Sequence, residues 1–119
     1  SDNEGGAMFA EMASEAGIDG TSVYAGESYD AASLMLVAMQ AAGSHEPGDY
    51  AAHIFDVANA PGEPILPGEL GKALEILADG GEIDFQGATG VELVEPGEAA
   101  GSYAEYVIED GALSVVGYR

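Results

Sequence analysis

The stretch SYDAASLMLVAMQAA, residues 28–42, decides the fold, because it has the clearest helical signature in the chain. Ser28 or Asp30 can cap its amino terminus, and Gly43 follows its last residue, where helices commonly end. Its interior, residues 31–39, is apolar on nearly every side. A helix of that kind is buried on more than one face. We therefore expect other parts of the protein to cover it.

Further helices are predicted on both sides of this segment. Residues 6–16 carry apolar side chains at helical spacing and end before Gly17. Residues 18–26 are turn-rich. Pro47 opens another helix that runs to about residue 58, and a loop follows over residues 59–64. A last helix begins at Pro67 and ends at Gly80-Gly81, and its apolar side is formed by Leu70, Leu74, Leu77 and Ala78.

From Ile83 onward the apolar pattern changes from helical to alternating, as in β-strands. Residues 91–94 lead into a turn, and residues 102–109 alternate strictly. Asp110-Gly111 is a strong hairpin signal, with residues 113–118 as the return strand. The sequence thus predicts an α/β protein in which helices precede a carboxyl-terminal β-hairpin region. Its 119 residues form a single domain or a fragment of one.

The charge of the chain is very unbalanced, with 22 acidic residues against 2 basic ones and a net charge of −20. Such a chain repels phosphate backbones and anionic membranes, which argues against nucleic-acid binding and membrane docking. The same charge causes self-repulsion. We therefore expect greater stability in added salt, as in a marine or salt-adapted source.

Signals of catalysis are weak throughout the sequence. There are no cysteines, so disulfides, thiolate metal sites and cysteine nucleophiles are excluded. His45 and His53 stand outside any metal-binding pattern and are expected at the surface. The segment 87–90 lacks the lysine and the glycine spacing of a phosphate-binding loop. We expect a protein that is not an enzyme and needs no cofactor or metal.

Three stretches taken together resemble one family. The first is YAGESYDA at residues 24–31, which runs into the apolar helix. The second is FQGATGVEL at residues 85–93, and the third is the ending YVIEDGAL at residues 106–113. The order of these stretches along the chain resembles the order of the corresponding stretches in the carboxyl-terminal portion of type I periplasmic solute-binding proteins of the branched-chain amino-acid ABC transporter family. Residues 58–81 depart from the family pattern because this connection is longer, which resembles a subgroup of the branched-chain amino-acid binders.

This resemblance implies a two-lobed protein that closes by a hinge around an amino-acid-like ligand. It implies a membrane permease as partner, a periplasmic location, and an upstream lobe that is missing here. It also implies that Tyr24 lines the ligand cleft, with Glu27 and Tyr29 offering polar contacts. The first residues show no signal peptide, so we expect a chain that starts after processing or is an internal piece.

Two other functions remain open at this point. One is a ligand-sensing regulatory domain of the same fold, and the other is a small acidic enzyme. The enzyme would need a cluster of perturbed titratable groups in a pocket, which the sequence does not offer. If the chain is a fragment, we expect weak ligand binding and homo-oligomers at high salt, formed through apolar surface around Leu34, Met35 and Met39.

Overall fold

The computed structural model describes residues 3–101 and 103–119. Helices dominate the first two thirds of the chain and strands the last third. The helices are α1 (Glu4–Glu15), α2 (Ala25–Ala42), α3 (Pro47–Tyr50), α4 (Ile54–Ala58) and α5 (Leu70–Ala78), with a 3-10 turn at Ala51–His53. The strands are β1 (Glu63–Ile65), β2 (Ile83–Phe85), β3 (Glu92–Val94), β4 (Glu98–Ala100), β5 (Ala104–Glu109) and β6 (Ala112–Tyr118). Helices followed by a β-hairpin region are confirmed.

Helix α2 begins at Ala25, three residues before the predicted start. Its N-cap is Tyr24, whose φ of 65° is left-handed and whose side chain makes no capping hydrogen bond. The prediction that Ser28 or Asp30 caps this helix is therefore wrong. Asp30 lies inside the first turns of α2. Its carboxylate accepts a hydrogen bond from a distant loop and does not cap the helix. The predicted end is confirmed, since Gly43 takes the left-handed conformation there.

One face of α2 is buried and the other is not. Leu34, Val37 and Ala38 belong to the core and pack toward α4 and α5. Met35 and Leu36 are 44% and 49% exposed. The other described elements pack against one side of this helix. The exposure of Met35 agrees with the expectation for a fragment, whereas Leu34, expected in the same uncovered surface, is buried.

The core forms around a βαβ unit. Strands β1 and β2 are parallel, with Ile65 opposite Phe85, and α5 connects them. The side chains of Ile65, Ile83 and Phe85 are almost completely buried, together with Val37 from α2. Strand β1 was not predicted, because it has only three residues and its central one is Pro64, a residue that normally argues against a strand.

Several other boundaries differ from the predictions. The predicted helix over residues 47–58 is three short helical pieces, and α5 begins three residues after Pro67. Strand β4, which pairs antiparallel with β3, was not predicted. Strand β5 begins at Ala104, while Ser102, the predicted first residue, lies outside the described residues. Apart from the divided helix, these differences concern element ends or three-residue elements, where local patterns are weakest.

The hairpin of β5 and β6 pairs from Ala104 opposite Tyr118 to Glu109 opposite Ala112. Asp110 and Gly111, both with positive φ, form its turn as predicted. Most of its large apolar side chains are half or more exposed, including Ile108 at 74% and Leu113 at 69%. The hairpin therefore has little cover on either face.

Candidate functional site

A cavity of about 760 Å³ opens where α1, the loop before α2, the start of α2, residues 88–89 and the β5–β6 hairpin meet. Two of the three predicted site residues, Tyr24 and Glu27, line it. They lie one turn apart at the beginning of α2. The cavity therefore coincides with the junction of loop and helix that the resemblance indicated.

The loop that leads into this junction is fixed by short-range contacts. The side chain of Asp19 accepts hydrogen bonds from the backbone N–H of Thr21 at 2.9 Å and from its hydroxyl at 2.6 Å. These bonds hold the pKa of Asp19 below its ordinary value. Gly20 lies so close to Ala10 and Ala13 of α1 that a Cβ would collide with them. The wall of the cavity over residues 20–24 is thus built against α1.

Tyr24 combines an unusual backbone with an exposed ring. A tyrosine at φ 65° is uncommon, because its Cβ crowds the backbone in that conformation. Its side chain is 72% exposed and therefore gains little from packing. Strained residues concentrate at functional sites, where the surrounding structure holds them in place. The conformation of Tyr24 favours a role in binding over a role in the core.

Tyr29, the third predicted site residue, lies elsewhere. Its ring packs on Phe9 with centroids 5.2 Å apart, and it contacts both apolar clusters of the protein. Its hydroxyl accepts a hydrogen bond from the backbone N–H of Gly68 at 3.2 Å. The structure does not bring Tyr29 to the cavity with Tyr24 and Glu27. In this chain it joins α1, α2 and the segment before α5.

The sequence analysis missed Asp30, which holds the floor of the cavity. Its buried carboxylate accepts hydrogen bonds from the backbone N–H of Ala88 at 2.7 Å and of Thr89 at 2.9 Å. The Thr89 hydroxyl donates a third bond at 2.6 Å. Ala88 and Thr89 in turn line the cavity. One signal was present, because Asp30 shares helical spacing with the apolar Leu34 and Val37 and so lies on the buried face.

A glycine makes this close approach possible. Gly87 has a φ of 59°, a conformation that suits glycine, and a Cβ at this position would collide with Asp30 Oδ1. The backbone N–H of Gly87 donates to the carbonyl of Ile65 at 3.0 Å, which anchors the loop on β1. The segment 85–93, one of the three stretches that carry the family resemblance, thus contacts the first turns of α2.

Charge in and below the cavity is negative. Glu27 is the charged side chain among the lining residues that the structure describes, and it is exposed. Burial raises the pKa of Asp30 above its ordinary value of 3.8, while the hydrogen bonds from Thr89 and Ala88 limit the rise. The Glu27 carboxylate one turn away also raises it. Glu27 is therefore the group that can meet a cationic ligand directly.

The rest of the described chain contains a second cavity. This cavity of about 580 Å³ lies beside α4 and the end of α5, where His53 and Asp56 are 3.8 Å apart. Within residues 3–101 and 103–119, no group of three metal-ligating side chains is found. No helix in these ranges is long and apolar enough to cross a membrane.

Comparison with known proteins gives one informative similarity. The chain is 31% identical over 91 residues to the chemotactic signal transduction system substrate-binding protein BasB of Halobacterium salinarum. The match covers 76% of this chain and 22% of that protein, so the chain spans about a fifth of the length of this relative. No family model matches the chain. No solved structure matches it either. The similarity agrees with the resemblance to solute-binding proteins, while the branched-chain amino-acid family stays a prediction.

Proposed function

We propose that this chain is the carboxyl-terminal part of an extracytoplasmic solute-binding protein, which holds a small amino-acid-like molecule without transforming it. The observation that carries the proposal is the 31% identity over 91 residues to a protein named as substrate-binding. The geometry agrees, because Tyr24 and Glu27 line one cavity at the predicted junction. A large cavity with aromatic and a few polar groups is typical of a ligand site.

The uncovered apolar surface supports a second lobe in the functional protein. Met35 and Leu36 of α2 and most large apolar side chains of the β5–β6 hairpin are exposed. Large exposed apolar side chains in such number often mark a contact with another part of a protein. In the proposed protein an upstream lobe covers this surface, and the ligand lies between the lobes. Hinge closure then traps the ligand.

The proposed ligand and the proposed membrane partner both follow from the family resemblance. We propose a branched-chain amino acid or a related amino acid or amide as ligand, with the ammonium group meeting Glu27. The permease of an ABC transporter is then the membrane partner, and the protein works in the periplasm.

A second candidate function is ligand sensing, which the name of the relative favours. BasB is named for a chemotactic signal transduction system. In that case the closed, ligand-bound protein docks on a signal transducer instead of a permease. Deletion of the gene separates the two functions, because loss of solute uptake indicates transport and loss of chemotaxis with normal uptake indicates sensing.

The proposed site is tested by Tyr24→Ala in the complete translation product of the gene. We expect ligand affinity to fall by about fivefold or more, as for a buried aromatic contact, with thermal stability unchanged. Calorimetry with leucine, isoleucine, valine and small amides provides the affinity. Lower stability with unchanged affinity would make Tyr24 a core residue. If both quantities are unchanged, the site assignment is wrong.

A further inference from the structure

The cavity is lined by more tyrosines than Tyr24, the one of the two predicted site tyrosines that reaches it. Four of the six tyrosines of the chain line it, namely Tyr24 from the loop before α2 and Tyr103, Tyr106 and Tyr118 from the hairpin region. All four are between 49% and 72% exposed. They therefore add little to the core of this chain, and their rings are available to a ligand.

The electrostatics of the cavity favour a cation. Glu27 contributes a full negative charge, whereas the amino end of α2 contributes roughly half a positive charge. Both strong cations of the chain are paired with carboxylates, although Arg119 directly follows the lining residue Tyr118. Lys72 contacts Glu63 at 3.0 Å, and Arg119 contacts Glu105 at 2.7 Å. A ligand carboxylate thus finds no positive side chain among the described lining residues, while a ligand cation finds Glu27 and four aromatic faces.

We infer that the ligand presents a methylated ammonium group, such as a quaternary amine, to Tyr24, Glu27 and the hairpin tyrosines. Aromatic faces attract a cation through their negative quadrupole, and surrounding a quaternary ammonium group with aromatic rings is a common use of that attraction. Methyl groups spread the charge over an apolar surface that suits the rings. A primary ammonium would instead need acceptors for three N–H groups. This inference rests on the proposed solute-binding function. It replaces the unmethylated ammonium group proposed above with a methylated one at the same cavity.

A pair of probes of equal shape tests the role of the charge. Choline is the cationic probe, and 3,3-dimethylbutan-1-ol is its neutral isostere. Titration of the 119-residue chain, followed by the NMR shifts of the Gly26 and Thr89 amides, detects millimolar affinities. We expect choline to bind on the order of tenfold more tightly than the alcohol. The titrations are made in about 0.1 M salt, where attraction beyond roughly 10 Å is screened. Equal affinity for the two probes, or no shifts with choline, overturns the inference.

Matched variants test the residues. Tyr24→Leu removes the aromatic face, whereas Tyr24→Phe keeps it, and Glu27→Gln removes the charge. Glu75→Gln removes an equal charge from the exposed face of α5, at a residue that does not line the cavity. We expect Tyr24→Leu and Glu27→Gln each to weaken choline binding by about twofold to fivefold. Tyr24→Phe and Glu75→Gln should match the unchanged chain. Thermal melting confirms that each variant is folded.

The outcomes separate this inference from the proposed function. Equal weakening by Glu27→Gln and Glu75→Gln means that choline is only a counterion of the acidic surface, which overturns the inference. Leucine shifts that depend on Glu27, with no choline shifts, also overturn it and leave the proposed binding protein intact. If neither the chain nor the complete gene product binds any of these probes, both proposals fail.

Discussion

Asp30 joins two parts of the chain that are 58 residues apart in sequence. This contact explains which parts of the site could be predicted. Tyr24 and Glu27 are neighbours in sequence, so a local motif placed both at one cavity. The role of Asp30 depends on Ala88 and Thr89, whose proximity follows from the packing of the whole fold. A local pattern therefore offered only a helix cap for this carboxylate.

Asp30→Asn should lower the free energy of unfolding by about 1–3 kcal/mol. The amide nitrogen cannot accept a hydrogen bond, so either the backbone N–H of Ala88 or the N–H and hydroxyl of Thr89 lose an acceptor. Urea unfolding followed by circular dichroism measures the loss. Asp79→Asn at the exposed end of α5 is the control and should change the free energy by less than about 0.5 kcal/mol. Equal effects of the two substitutions would contradict the structural role of Asp30.

The difference in the free energy of unfolding between the unchanged chain and Asp30→Asn should depend on pH. Because burial raises the pKa of Asp30 in the folded state, the folded protein binds this proton more tightly than the unfolded chain does. The stabilisation that comes from this proton is therefore fully present below pH 3.8, and it is lost as the pH rises through the raised pKa of Asp30. The unchanged chain should have a larger free energy of unfolding than Asp30→Asn, and this difference should shrink as the pH rises from 3.8 through the raised pKa. An advantage that grows with pH would show that the hydrogen bonds outweigh burial.

At the scale of elements, length and turn chemistry decided what could be predicted. The 18-residue helix α2 and the hairpin around Asp110-Gly111 carry long or specific patterns, and both were predicted within a few residues. Strands β1 and β4 have three residues each and take their conformation from the strands they pair with. The exposed face of α2 was predicted correctly at Met35 but not at Leu34, which is buried, because a helix that is apolar on nearly every side gives no sign of which side packs.

The β5–β6 hairpin should be the least stable element of this chain. An isolated two-stranded sheet is marginal in water, and this one has few buried side chains. Its amides should exchange with solvent much faster than those of Ile65 and Phe85, which lie in the core. Hydrogen exchange followed by NMR at low protein concentration measures both. Equal protection would contradict this account and show that the hairpin is covered in solution.

At the scale of the whole molecule, a net charge of −20 opposes the association that exposed apolar surface favours. Salt screens the charge but not the apolar attraction. Sedimentation should therefore show monomers at low salt and dimers or larger species at high salt and high concentration. Met35→Gln, at a residue that is 44% exposed, should weaken this association. A strictly monomeric profile at high salt would contradict the prediction.

We propose that this chain supplies one side of a ligand site that a second lobe completes. Calorimetry of the 119-residue chain beside the complete translation product of its gene, with the same panel of amino acids, amides and choline, tests this claim most directly. We predict tight binding by the complete product and only millimolar binding by the chain, because a ligand normally buries most of its surface in its site. Micromolar affinity for the chain alone, or no binding by the complete product, would contradict the account.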